Sequence, residues 1–492
     1  NSSLFEPTGI EHACLFISQL KDMKLPLLSS TVIKNNSGQK RTGELLTIEY
    51  IFEFLNAYDF ASEGSEEIQE ENKRLINASV LGLIFEKING YKDGSFFTPG
   101  FITMYMCRET IRRAVVQKFN CLNQDLQNLQ DSQNVRIPKN QENQRYRNLD
   151  DIYNAVGQDF TKEQANQIIN SLKICDPAVG SGHFLVSALN EIIAIKSELK
   201  ILRDREGKTL RDYHVTVEND ELIVTDDDGG LFEYNPQSRE SQRIQETLFH
   251  EKQTIIENCL FGVDINPNSV KICRLRLWIE LLKNAYYKSI PEILLGTPVQ
   301  TLHATSLPPQ FPELETLPNI DINIKCGNSL ISRYALDADI KKALKNSKWT
   351  IDSYRLAVMT YRNAQSKEEK REMEKLIAQI KNDFESDVAA NDKRVLKLNK
   401  AKGELFALTT QTTLFDRTKA EKTTWDKQVK TLTDNIFSLE TELEGIRSNK
   451  IYENAFEWRF EFPEVLNEEG DFVGFDVVIG NPPYGVSLTS ND

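Results

Sequence analysis

An Asn-Pro-Pro-Tyr run at 481–484 closes the last apolar stretch of the sequence, Phe475-Asp476-Val477-Val478-Ile479-Gly480. Pro482 and Pro483 fix φ and remove two backbone donors, so the carbonyls of this loop point outward with little freedom to relax. Asn481 adds a side-chain amide, and Tyr484 adds a flat aromatic face. That set suits a planar amine: two acceptors for its N–H groups and a ring to stack on. Taken alone, the run also reads as a stiff turn.

Three other turns could carry related chemistry. Asp176-Pro177-Ala178-Val179-Gly180-Ser181-Gly182-His183 follows a short apolar stretch and leads into a helical pattern. Its glycines let the backbone approach a ligand closely and aim amides at it from a helix N-terminus. A dinucleotide fingerprint needs a third glycine where Leu185 stands, and a phosphate loop before Gly207-Lys208-Thr209 needs a glycine where Leu202 stands. The ligand so implied lacks a pyrophosphate. Asp264 ends the second stretch, where a carboxylate accepts from both hydroxyls of a ribose, with Ile265 and Pro267 to flank a base. The third ends in Cys326-Gly327-Asn328-Ser329-Leu330, which offers the Asn328 amide to an adenine edge.

The elements that must position these turns are strands predicted at 172–176, 260–264, 320–326 and 475–479, with helices at 184–199 and 268–283. Strands alternating with helices imply an α/β fold with a parallel, doubly wound sheet, whose ligands lie outside the carboxyl ends of the strands. The four turns are therefore expected to share one crevice. Segments 213–217, 221–225 and 231–234 read as a small antiparallel meander. Residues 1–150 form a mainly helical region, in which Thr98 is a good N-cap and Pro99 suits the first turn of a helix over 101–116. A Gln/Asn-rich stretch over 120–148 reads as a linker. Residues 151–336 form the first part of the sheet domain and 451–492 its fourth strand and Asn-Pro-Pro-Tyr loop. Between them, 337–450 reads as an inserted antiparallel helical arm, free of proline, with Val429, Leu432, Ile436, Leu439, Leu443 and Ile446 at coiled-coil spacing.

Bulk properties bound the rest. A net charge of −14 argues against broad adhesion to nucleic acid. The arm departs from that balance, with 23 Lys/Arg against 19 Asp/Glu. Seven cysteines with no CxxC pair read as reduced core thiols of a cytoplasmic protein, and five scattered His give no metal site. No apolar run approaches the roughly 20 residues that span a bilayer, and no secretory signal opens the chain. Oligomeric state is not set by any of these features.

The order Phe96-Phe97-Thr98-Pro99, Asp-Pro-Ala-x-Gly-Ser-Gly at 176–182, Gly262-Val263-Asp264-Ile265-Asn266-Pro267, Gly327-Asn328-Ser329, then Asn-Pro-Pro-Tyr resembles the γ-type S-adenosylmethionine-dependent DNA adenine-N6 methyltransferases. More narrowly it resembles the methylase-bearing polypeptides of type IIG-like restriction-modification systems, as does the run from Glu457 to Val465. The resemblance covers roughly 75–490. It implies a Rossmann-like methyltransferase sheet, S-adenosylmethionine as cofactor and double-stranded DNA as partner. By the same resemblance Phe97 and Thr98 would line the methionine end of the cofactor, and Asp176, Ala178, Gly180 and Gly182 would surround it. Asp264 would hold the ribose, Ile265 would pack on the adenine, and Asn328 would contact its amine, at a position where many relatives carry Asp. Asn481 and the Pro482 carbonyl would accept from the target N6, with Pro483 stiffening the loop and Tyr484 stacking on a flipped-out base.

The same loop serves enzymes that methylate the glutamine amide of proteins, with close variants acting on RNA, and a non-catalytic cofactor-binding fragment is a further reading. No cysteine follows a proline, which sets aside cytosine-C5 chemistry. A complete sheet of this kind has about seven strands, and four are visible. The remaining strands and the target-recognition domain are expected outside residues 1–492, leaving this chain alone poorly active.

Overall fold

The computed structural model describes residues 23–35, 38–59, 74–75, 98–131, 146–210, 212–288, 314–315, 319–333, 348–364, 366–390, 392–410, 418–448, 452, 454–467 and 471–481. The chain divides into two compact units. The first comprises Asn1–Gly262, Asn268–Ile324 and Asp476–Gly485, and the second Val263–Pro267, Lys325–Phe475 and Val486–Asp492.

In chain order the elements are β1 (Lys24–Pro26), β2 (Glu44–Leu46), α1 (Thr47–Asn56), α2 (Gly100–Asp131), α3 (Leu149–Ala155), α4 (Lys162–Asn170), β3 (Ile174–Asp176) and α5 (His183–Glu198). There follow β4 (Tyr213–Glu218), β5 (Glu221–Asp226), α6 (Arg239–Asn258), β6 (Leu260–Asp264), α7 (Pro267–Leu282) and β7 (Ile324–Cys326). The last are α8 (Ile351–Asn363), α9 (Lys367–Ala390), α10 (Lys393–Thr410), α11 (Lys419–Ser448), α12 (Trp458–Glu461) and β8 (Val477–Val478).

The predicted α/β sheet is present as four strands in the order β8-β3-β6-β7. The β8–β3 and β3–β6 pairs run parallel, with Val478 opposite Cys175 and Asp176 opposite Gly262. All of β3 and Leu260–Val263 of β6 are buried, which is why these strands read as unbroken apolar runs and not as alternating ones. Helix α5 is buried from His183 through Lys196 and forms the centre of the first unit. A helix that is apolar nearly all round must be covered on every face. Helices α2 and α6 and the β4–β5 hairpin cover it.

Strand β8 has two residues, and its flanks hold it. Asp476 Oδ2 accepts from Lys173 N at 2.8 Å, Oδ1 accepts from Lys118 Nζ of α2 at 2.9 Å, and Ile479 N donates to Cys175 O at 2.9 Å. Asp476→Ala is expected to cost about 1–2 kcal/mol, the value of one charge-assisted bond to a backbone amide plus a partly exposed ion pair. Urea unfolding of the two proteins checks this, and a midpoint unchanged within error would exclude such an anchoring role.

Three expectations are corrected. The helix predicted over 101–116 continues to Asp131, so the Gln/Asn residues 120–131 are helical and not a linker; Asn120 is buried and holds Tyr146 through two backbone bonds of 2.8 and 3.1 Å. The third strand of the meander shrinks to a single bridge, Thr225 to Leu231. The strand predicted at 320–326 begins as a 3-10 turn, Ile320–Asn323, because Asn323 Nδ2 turns to the carbonyls of Ile256, Glu257 and Leu260 at the end of α6. The first unit also carries the antiparallel pair β1–β2 within the region expected to be mainly helical.

In the second unit α10 and α11 run antiparallel, with Trp425 Nε1 donating to Leu408 O at 3.1 Å and Lys402 pairing with Glu440 at 2.7 Å further along. Leu398, Ala401 and Ile436 fill their seam, joined by Leu432, Leu439 and Leu443. Glu461 lies between Lys325, at 3.0 Å, and Lys381. Burial opposes its charge, but the two ammonium groups prevail and pull its carboxyl down to about 2. The carboxylate therefore stabilises the fold fully above the ordinary value near 4.5, and that contribution is lost as pH falls toward 2. Glu461→Gln is expected to cost about 3–5 kcal/mol at pH 7, since it leaves Lys325 buried without its counter-charge. The gap should narrow as pH falls below about 4.5 and close toward pH 2, where the folded wild-type carboxyl gains its proton. Equal denaturation midpoints for both proteins at pH 7 would contradict this.

Candidate functional site

In the first unit, β3 ends at Asp176, and the chain turns through Gly180 (φ +51°) and Gly182 (φ +86°) into α5. Both are left-handed conformations that side chains resist. Asp176 is buried, and its Oδ1 accepts from Ala178 N at 3.0 Å, closing the turn on itself. A Cβ on Gly182 would lie 2.7 Å from Cys273 Sγ, and a Cβ on Gly480 would collide with the Asp176 carboxylate. Gly262 repeats the pattern one strand over, with a Cβ 2.9 Å from Val179 Cγ2. Glycine is thus required by close approach on both sides of β3.

Sequence reasoning missed Arg276 of α7. It is buried and donates from Nη1 to Ser181 O at 3.2 Å, bracing the glycine turn from beneath. Burial, helped by the Arg276 charge, lowers the His183 imidazole to about 2 and so holds it neutral. Burial likewise pushes the Cys175 thiol well up, so the cysteine beside Asp176 stays protonated. The signal that could have found Arg276 is a charge flanked on both sides by leucine, but Arg274 two positions earlier is also a charge in an apolar setting, and the same signal fits a snorkelling surface residue.

Asn481 Nδ2 donates to Thr98 Oγ1 at 3.1 Å, a contact between residues 383 positions apart. Thr98 was expected to cap the following helix. That helix starts at Gly100, the Pro99 carbonyl accepts from Ile102 N and Thr103 N, and the Thr98 hydroxyl faces Asn481. With Nδ2 donating to Thr98, Oδ1, the acceptor end of the amide, faces the other way. The first unit thus brings Asp176, Ala178, Gly180, Gly182, Thr98, Gly480 and Asn481 to the ends of the adjacent strands β3 and β8. Phe97, Pro482, Pro483 and Tyr484 lie outside the described residues.

The second unit brings together Asp264, Ile265 and Asn328. Gly327 N donates to Asp264 O at 2.9 Å, and Cys326 Sγ donates to Ile265 O at 3.5 Å. Asp264 Oδ1 accepts from Asn266 N at 2.8 Å, and Ile265 is 52% exposed, an apolar face without cover from its own unit. Asn328 Oδ1 accepts from Leu330 N at 3.1 Å, which orients the amide and leaves its N–H donors and the second lone pair of Oδ1 to meet a ligand. The Glu457-to-Val465 run acts as a brace for this turn. Trp458 Nε1 donates to Ser329 O at 3.1 Å, and Glu457 accepts from Ser332 Oγ and Arg333 N at 2.5 and 2.7 Å. Trp458 packs edge to face on Phe456 and Phe475, and Phe462 does so on Phe475, behind it. A Cβ on Gly327 would lie 2.7 Å from the Phe456 ring.

Among the described residues no cluster of His, Cys, Asp or Glu could hold a metal ion, and no helix is long and apolar enough to cross a membrane. Residues 1–76 match the model of a domain of unknown function (DUF7814). No solved structure matches the chain. A putative type II restriction enzyme and methyltransferase of Methanocaldococcus jannaschii is 26% identical over 488 residues, covering 90% of this chain and 32% of the relative. The chain therefore spans about a third of the length of the curated relative it matches. Residues 258–492, which hold Asp264, Asn328, the Glu457 brace and Asn481, match the model of the Eco57I restriction-modification methylase, so in this half, and more distantly along most of its length, the chain is similar to restriction-modification methyltransferases.

Proposed function

We propose that this chain is the methyl-transferring portion of a restriction-modification protein, acting with S-adenosylmethionine on the N6 amine of adenine in DNA. The observation that carries this reading is the Asn481–Thr98 contact at the end of β8, beside the Asp176–Gly182 turn. Thr98 takes one hydrogen of the Asn481 amide, which commits Oδ1 to the role of acceptor. The nitrogen of an adenine amine is a poor nucleophile because its lone pair is spread into the ring. Hydrogen bonds from its two N–H groups to Oδ1 and, as the motif implies, to the Pro482 carbonyl favour a pyramidal nitrogen. The N–C bond forms as the C–S bond breaks, its electrons staying on the thioether, and one N–H proton is then lost to solvent. Alignment and charge stabilisation, without a covalent intermediate, then account for the acceleration.

The residues present fit the cofactor. Gly180 and Gly182 hold the left-handed turn after β3, and Asp176 offers a buried carboxylate to an ammonium group. In this reading Asp264 accepts from ribose hydroxyls, Ile265 is the apolar face for adenine, and Asn328 accepts from the adenine amine through the second lone pair of Oδ1. When bound, S-adenosylmethionine supplies an electrophilic methyl group on sulfonium. The γ-type order of motifs and a Rossmann-like sheet belong to the same reading, as does duplex DNA whose target base leaves the stack.

The decisive experiment follows tritiated methyl from S-adenosylmethionine onto duplex DNA with the full-length protein, and identifies N6-methyladenine by mass spectrometry. Label on protein or RNA, with none on DNA, would replace DNA adenine by a glutamine amide or an RNA base as target. Thr98→Val is expected to lower the methylation rate about tenfold, roughly one orienting hydrogen bond, because the Asn481 amide can then flip. Cofactor affinity should change less than the rate. A larger effect on affinity than on rate would assign Thr98 to the cofactor alone.

A further inference from the structure

The β4–β5 hairpin turns on Asn219 and Asp220, both left-handed, at φ +48° and +66°. The second position of such a two-residue turn favours glycine, yet here it is a carboxylic acid, and it is buried. Asp220 reaches into the first unit and meets α5. Ser187 Oγ lies 2.6 Å from its Oδ1, and Asn190 Nδ2 donates to its carbonyl at 2.7 Å. Ser187 Oγ also lies 2.8 Å from Thr103 Oγ1 of α2, whose hydroxyl donates to Gly100 O at 2.9 Å. A continuous chain thus runs from Asp220 through two buried hydroxyls to the first residue of α2, two positions beyond Thr98.

Each hydroxyl carries one proton. With Asp220 protonated, its proton goes to Ser187, that of Ser187 to Thr103, and that of Thr103 to the Gly100 carbonyl. Three contacts then have three protons. With Asp220 ionised, Ser187 must donate to the carboxylate, and Thr103 has one proton for both Ser187 Oγ and Gly100 O. One contact is then lost.

We propose that the proton on Asp220 sets how firmly the first turn of α2 is held, and through that turn how Thr98 is presented to Asn481. Asp220 is in these terms a positioning residue. The groups that face it are Arg276 and Glu280 of α7, Cys107 of α2 and Glu221 of its own hairpin. Burial dominates and raises the carboxyl to about 7, against the pull of Ser187 and Arg276. The complete chain therefore prevails below neutrality and is broken above it. The link to Thr98 rests on the proposed methyl-transfer reading, whereas the link to α2 does not.

Two measurements on the full-length protein separate these. Amide hydrogen exchange at Ile102 and Thr103, whose amides bond to Pro99 O, is followed from pH 6 to pH 8 and corrected for intrinsic rates. In the wild type it should quicken about fivefold, the worth of one net hydrogen bond. Asp220→Asn supplies a permanent donor and tolerates the left-handed turn, so its exchange should stay slow throughout. Thr103→Val removes the last two links and should be fast at both pH values. The single-turnover methylation rate should fall about fivefold over the same range in the wild type relative to Asp220→Asn. Wild-type exchange that ignores pH, or an Asp220→Asn profile parallel to it, overturns the proposal. Exchange that behaves as expected in a protein that never binds S-adenosylmethionine supports the hairpin-to-helix link and removes the methyl-transfer reading instead.

Discussion

Asn481→Ala is expected to slow methyl transfer to adenine by about 10²–10³-fold, the usual cost of removing one preorganised group at a reacting centre. The loss should fall on the chemical step. Asn481 meets Thr98 and, in the proposed reading, the target amine, so affinity for S-adenosylmethionine should change little and unfolding should be unaltered. Asn481→Asp sharpens the test. An aspartate keeps two acceptor oxygens but cannot donate to Thr98, so a rate between wild type and alanine is expected. Single-turnover measurement of N6-methyladenine separates chemistry from binding and release. An alanine variant within about threefold of the wild-type rate would remove Asn481 from the mechanism.

Gly182→Ala is expected to be the most damaging single change to the fold among the turn glycines. At φ +86° any side chain incurs about 1–2 kcal/mol of backbone strain, and the new Cβ would lie 2.7 Å from Cys273 Sγ and 3.4 Å from Cys273 Cα. Overpacking of that kind adds about 1–3 kcal/mol. Adding Cys273→Ala removes the sulfur and should restore the packing part while leaving the backbone part, a coupling that a double-mutant cycle reads directly. If the double variant is no more stable than Gly182→Ala alone, the sulfur contact is not the source of the cost. By contrast Gly403 and Gly445 have nothing within 4 Å of a Cβ, and alanine there should be neutral or mildly stabilising, since both lie within helices.

The legible parts of the chain are those whose signal is local. Leu260–Asp264 is a parallel strand buried from Leu260 to Val263, and such strands announce themselves as unbroken apolar runs. The stripe Leu432, Ile436, Leu439 and Leu443 is a helical seam because its period matches no other structure. Gln and Asn at 120–131, in contrast, are as common in linkers as on exposed helix faces. Only the bonds of Asn120 to Tyr146 and the packing of Phe119 against Phe160 show that α2 has a partner there.

The candidate site divides along the same line. The amino-acid sequence by itself determined which chemistry is on offer: glycines where a backbone must come close, acids and amides at strand ends, and a donor-poor proline loop. Those are properties of residue type and spacing. Only the tertiary structure decided how each group is spent. Thr98 could cap a helix or orient an amide, and the choice depends on Asn481, which folding delivers from 383 positions away. Asp220 reads as a turn residue until the hairpin is seen to bury it against Ser187. Asn328 offers a freely turning amide on paper, and its own turn orients it through the bond from Leu330 N to Oδ1. A hydrogen bond is a relation between two groups within about 3 Å of each other, and no single position in a sequence carries its partner's address.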